Sequence, residues 1–136
     1  MLEKARREHS RLTAAFNIDN VFNFFVTAYH IQDYVRESNA VPPVTIDAFV
    51  DSQDIKDARD LCDKGKHLHL TRRKYPDPSA TRRVLGPLNT VSLNTMVLNG
   101  GKEIWMLESG ARTVEVAALA DRVIRQWDAF FATNGL

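Results

Sequence analysis

The most constraining stretch of this sequence is its last one. Between Val116 and Phe131, apolar residues fall at Val116, Leu119, Ala120, Val123, Ile124, Trp127, Phe130 and Phe131. Intervals of three and four residues bring all of them to one side of a helix. A stripe that wide has to be covered by other elements. Thr113 reads as the N-cap of this helix and Asn134-Gly135 as its end. The rest of the chain must therefore supply helices or a sheet to pack against it.

Three further helical segments answer that need. The first, about Leu2 to Phe16, buries Leu2, Ala5, Leu12 and Phe16 and keeps its cations outside. The second begins near Asp19, a suitable N-cap, and runs to about Ser38. Val21, Phe22, Phe25, Val26, Tyr29 and Val35 give it a broad apolar face, with Asn20, Asn23, Thr27, His30 and Tyr34 as a polar strip. Val41-Pro42-Pro43 stops it, because proline removes a backbone donor and restricts the residue before it. The third opens at Thr45, carries a break or kink near Ser52, and continues through Ile55, Ala58, Leu61 and Cys62 to about Lys64. Gly65 serves as its C-cap or as a point of close helix approach.

Beyond that point the period changes. His67-Leu68-His69-Leu70-Thr71 alternates like a strand, and Tyr75-Pro76-Asp77-Pro78-Ser79 reads as a turn or exposed loop. Val91 to Leu98 and Lys102 to Leu107 read as a hairpin closed by Asn99-Gly100-Gly101. The expected fold is α+β, mainly α: a four-helix bundle-like core with a small antiparallel sheet, a hairpin, inserted before the C-terminal helix. A chain of 136 residues suits one domain over residues 1–136 and is long enough to bury a core.

Several classes are disfavoured. No run approaches the roughly 18 apolar residues of a membrane span. The opening Met1-Leu2-Glu3-Lys4-Ala5-Arg6-Arg7 is too charged for a secretory signal. The one cysteine, Cys62, cannot form an internal disulfide and fits a reducing compartment, so the cytoplasm is the expected location. There is no Gly-x-Gly-x-x-Gly, P-loop or nucleophile elbow, and no residue pattern calls for a cofactor.

A net charge of +1 conceals an asymmetry. Asp47, Asp51, Asp54, Asp57, Asp60 and Asp63 dominate one stretch; Lys64, Lys66, Arg72, Arg73, Lys74, Arg82 and Arg83 dominate the next. The basic run, with Arg72, Arg73, Lys74, Arg82 and Arg83 as its contacts, suits a polyanion such as a nucleic acid. Alternatively it is a solvated turn whose cations pair with the acidic segment.

Two polar clusters carry whatever chemistry the sequence offers: Tyr29-His30-Ile31-Gln32-Asp33 and Asp63-Lys64-Gly65-Lys66-His67. Each sets a histidine and an aspartate three or four residues apart, on one helical face. A metal is not assigned to His30, Asp33, Asp63 and His67, since di-metal sites in bundles use more carboxylates, normally glutamate. A polar network in which His30 bonds Asp63 or a backbone carbonyl across a helix pair accounts for them as well.

The stretch Phe22-Asn23-Phe24-Phe25-Val26-Thr27-Ala28-Tyr29-His30, followed by Arg59-Asp60-Leu61-Cys62-Asp63-Lys64-Gly65-Lys66-His67, resembles small bacterial and phage proteins of HEPN-like helical type. That signature is an Arg, a polar residue, a short spacer and a His. Asp63 and His67 match the polar residue and the histidine, and Lys66 precedes the histidine as in many members. Cys62 stands where the arginine would fall, and Arg59 lies one helical turn earlier. The resemblance implies a compact helical bundle, RNA as partner, a homodimer, and a toxin or defence setting. It also implies metal-independent RNA cleavage as the activity, if any, with His67, Asp63, Lys66 and His30 as the site. Such cleavage needs a base for the ribose 2′-hydroxyl and a cation for the phosphorane charge. His67 fits the first role near neutral pH, and Lys66 or Arg59 the second. A non-catalytic interaction or regulatory module, its His/Asp cluster purely structural, is the competing expectation.

Overall fold

The computed structural model describes residues 1–66, 79–85, 103–109 and 112–136. Among these, α1 (Leu2–Ala14), α2 (Ile18–Tyr29), α3 (Ile31–Ser38), α4 (Pro43–Val50) and α5 (Gln53–Lys66) are followed by β1 (Ser79–Leu85), β2 (Glu103–Ser109) and β3 (Arg112–Glu115). The last element is α6 (Val116–Asn134). The class is α+β and mainly α, with a bundle-like helical core and a small antiparallel sheet ahead of the last helix.

Four helices make the bundle. α1 packs on α2 and α6, α2 on α5, and α5 on α6, while the short α3 and α4 pair beside them. The α6 stripe works as its periodicity predicts: Val116, Leu119, Ala120, Val123, Ile124, Trp127 and Phe130 are all buried. Trp127 is the hub of an aromatic cluster, 4.5 Å from Phe49 and 5.7 Å from Phe130 between ring centroids. Full burial of an aromatic ring of this size makes it a main contributor to core stability. Leu2, Ala5 and Leu12 of α1 meet that core, but the same stripe includes Glu8, which is also buried. On α2 the buried face is Val21, Phe24, Phe25, Thr27 and Ala28. It is rotated from the expected one: Phe22, Val26 and Tyr29 are only half-buried, and Thr27 belongs to the core.

Local chemistry moved several boundaries. Asn17, not Asp19, caps α2, its side-chain oxygen accepting from the Asn20 N–H at 2.9 Å. Asp19 instead occupies the first turn, where a negative charge favours the helix dipole. The expected single helix to Ser38 is two helices, parted at His30. There ψ is −2°, and the His30 ring is bonded to Asp33 across the junction. Asn39 ends α3 in the left-handed region at φ 52°, a conformation that asparagine tolerates better than most residues. Pro43 lies within the first turn of α4, where its missing donor costs nothing. The expected break near Ser52 is present, between α4 and α5. α5 then runs through Gly65 to Lys66, so Gly65 is not a C-cap.

The sheet is three-stranded in the order β1-β2-β3, antiparallel throughout. β2 agrees with the expected Lys102–Leu107 strand. One described partner is β1, from Ser79 opposite Ser109 to Leu85 opposite Glu103. β1 is not among the strands the sequence predicts, and Ser79, expected in a loop, opens it. The expected partner 91–98 and its turn 99–101 lie outside the described residues, as do the alternating stretch 67–71 and the proline-rich turn 75–78. Thr113 is not a cap but a β3 residue, where its branched side chain suits the strand, and α6 follows directly from Glu115. Leu107 and Val114 are register partners and both are buried, so this face of the sheet closes the core. Trp105 meets Phe16 edge to face at 5.6 Å, joining the sheet to the end of α1.

Candidate functional site

The described site residues fall on the α2–α3 junction, the end of α5 and strand β1. His30 is half-buried at the α2–α3 junction, and its Nδ1 lies 2.7 Å from Asp33 Oδ2. Asp63 is half-buried in the last turn of α5, and Lys66 is the final residue of that helix. Cys62 is fully buried. Arg59 is half-exposed and turns its Nη2 and Nε to the buried Asp60, at 3.2 and 3.3 Å. His67, Arg72, Arg73 and Lys74 lie outside the described residues. Arg82 and Arg83 occupy successive positions of β1, opposite Met106 and Trp105. Among the described residues, no three His, Cys, Asp or Glu side chains form a group that would hold a metal ion. Also among them, no helix is long and apolar enough to cross a membrane.

The acidic run on α5 has a more specific role than its sequence suggested. Asp54, Asp57 and Asp60 recur every three residues, and the last two are buried. Arg122 of α6 grips Asp54 with Nε at 2.9 Å and Nη2 at 3.2 Å. Arg112 of β3 spans two carboxylates, Nη2 to Asp54 at 2.8 Å and Nη1 to Asp57 at 3.2 Å. Gln126 and Gln53 complete the set, donating to Asp54 at 2.9 Å and to Asp57 at 2.8 Å. Burial by itself raises the Asp54 pKa, but the hydrogen bonds and charges of Arg122 and Arg112 outweigh it and hold the carboxyl below its ordinary range. Two carboxylates face two guanidiniums, every carboxylate oxygen has a donor, and β3 and α6 are fastened to α5.

A second polar assembly lines a cavity of about 210 Å³ between α1, the sheet and the start of α6. His9 Nε2 lies 2.7 Å from Asp121 Oδ1, and the ring meets Phe24 edge-on at 5.5 Å. Leu12, Phe16 and Ile104 form apolar walls. Ala117 and Ala120 leave the space open on the α6 side. Glu115, the residue that joins β3 to α6, is also on the wall, and its side chain has no hydrogen bond or ion pair among the described residues. Among the described residues, no lysine or arginine lines the cavity.

Sequence reasoning did not find this histidine. His9 falls outside the apolar stripe of an ordinary amphipathic helix, and its partner is 112 residues away. No local spacing signals such a pair. The hint in the sequence is Ala120, a small residue in an otherwise bulky stripe, with the adjacent Ala117 and Ala118 just before it. Comparison with protein-family models, with curated proteins and with solved structures finds no match to this chain.

Proposed function

We propose that this protein is a HEPN-like, RNA-directed protein whose RNA contact lies at the C-terminal end of α5. The reading rests on one observation. α5 packs against α2 and stays helical to Lys66, so Asp63 and Lys66 end a core helix immediately before His67. A bundle helix that carries a polar residue and a lysine in its last turn supports the resemblance drawn from Asp63, Lys66 and His67.

In this reading Lys66 supplies a point charge for a phosphate, and the basic residues Arg72, Arg73, Lys74, Arg82 and Arg83 extend the contact along the RNA backbone. His67 is the acid–base group for attack by the ribose 2′-hydroxyl, with Asp63 and His30 as its polar surroundings. A homodimer would bring two such ends together, and a toxin or defence setting fits a ribonuclease of this kind.

A second reading, a non-catalytic interaction or regulatory module, draws support from Arg59 and Cys62. Arg59 is engaged by Asp60, and Cys62 is buried, so neither replaces the bidentate phosphate donor of the signature. The two readings part in one experiment. Wild type and His67→Ala are incubated with labelled single-stranded RNA, and both cleavage and retention on a filter are followed against salt. Cleavage lost in the variant supports the catalytic form. Salt-dependent binding without cleavage in both leaves an RNA-binding protein. Neither binding nor cleavage by the wild type overturns the RNA reading and leaves the regulatory module.

A further inference from the structure

The geometry points to a binding site for a small organic ammonium ion, one primary amine on a compact apolar body, in the cavity between α1, the sheet and the start of α6. The inference is independent of the RNA reading, since it uses none of the same residues.

Size comes first. About 210 Å³ exceeds the roughly 150 Å³ apolar cavity that accommodates benzene. It falls short of the roughly 300 Å³ at which drug-sized pockets begin. A single six-membered ring with a two-carbon arm is the right scale. Leu12, Phe16 and Ile104 provide the apolar contact such a body needs.

Charge then selects among ligands of that size. The carboxylates on the wall are Glu115 and Asp121, and among the described residues that line the cavity there is no lysine or arginine to offset them. Asp121 already faces His9 at 2.7 Å. Glu115 is different: it is half-buried, and no described side chain bonds or neutralises it. A carboxylate in that position is a waiting acceptor, and an ammonium group supplies both the charge and the donors. Thr13 offers little competition, because its hydroxyl donates to the His9 carbonyl at 3.0 Å. The rival is an anion drawn by the N-terminal backbone of α6, which two wall carboxylates oppose.

Three ligands of matched shape test this on the intact protein by calorimetric or NMR titration: phenethylamine, 2-phenylethanol and phenylacetate. Phenethylamine is expected to bind saturably, the alcohol about tenfold more weakly or worse, and phenylacetate not at all. Loss of the charge in Glu115→Gln should weaken phenethylamine about tenfold. Ala117→Leu should abolish binding by filling the space, with circular dichroism verifying that each variant is folded. Absence of saturable phenethylamine binding to wild type overturns the proposal. So does phenylacetate binding as tightly as the amine, or wild-type affinity in a folded Glu115→Gln or Ala117→Leu protein. The wild-type series decides the matter even if neither variant folds.

Discussion

Two polar assemblies flank α6, and they are built on opposite principles. On the α5 side, Asp54 and Asp57 receive donors on all four oxygens, from Arg112, Arg122, Gln53 and Gln126. On the α1 side, His9 and Asp121 hold each other at the edge of a cavity, while the Glu115 side chain on its wall has no described partner. In the first assembly every carboxylate oxygen is engaged across elements, and it acts as a fastener. The second retains capacity beside empty space, which is what a binding site requires. Buried charge alone does not separate structure from function; spare hydrogen-bonding capacity does.

Removing the hub of the saturated assembly should produce the largest effect. Asp54→Ala leaves Arg112 and Arg122 without their shared acceptor, and urea unfolding should show a loss of about 2–3 kcal/mol, below that of a fully buried pair because both guanidiniums are partly exposed. A loss below about 1 kcal/mol would mean that the network is merely superficial.

Acid should reproduce part of that loss in the unaltered protein. The Asp54 carboxyl is held below its ordinary range, so its stabilisation is complete above the unfolded value of about 3.9. It declines as pH falls through the lower folded value. Unfolding curves collected between pH 5 and pH 2 on wild type and Asp54→Asn should converge toward the acid end. Parallel curves would assign the acid sensitivity to other carboxylates.

Glu8 provides an intermediate case. It is buried on α1, with Oε1 bonded to Arg11 at 2.8 Å and Oε2 without a partner among the described residues. An unsatisfied buried oxygen costs about 1–3 kcal/mol, so Glu8→Leu should raise stability, by about 1 kcal/mol after the lost Arg11 bond. A destabilised variant would indicate that the carboxylate serves a packing or ligand role that its bonds do not reveal.

The smallest effect belongs to the open assembly. The Asp121 side chain is about half exposed at 51%, so Asp121→Asn should change unfolding free energy by no more than about 1 kcal/mol. A loss as large as that of Asp54→Ala would erase the distinction between the two assemblies.

Periodicity made most of the helical framework legible. The α6 stripe, the Leu2, Ala5 and Leu12 contacts and the break near Ser52 all follow from residue spacing and turn chemistry. The misplacements have local causes. Asp19 and Asn17 are both good caps two residues apart, and only the backbone decides between them. Thr113 suits a cap or a strand equally well. β1 begins just after a Pro-Asp-Pro stretch and holds two adjacent arginines, which hides the alternation of a strand. Its register with β2 is a long-range pairing that no local window contains.

The sites were legible only in part. Asp63, Lys66 and His67 stand together because they are neighbours in the chain. The Asp54–Arg122 bond spans 68 residues and the His9–Asp121 pair 112, so both depend on how the helices dock. The acidic run on α5 was visible as charge. Its burial was not, because nothing in its spacing named Arg112 and Arg122 as partners.

Cys62, the one thiol in the chain, is packed inside the bundle on α5. A thiol reagent can reach it only when that helix lifts from its neighbours. The protein therefore carries its own reporter of opening, at the helix that holds both the acidic fastener and the proposed RNA contact. The rate at which Cys62 is labelled under native conditions follows how often that helix is released, with no label or probe to be engineered.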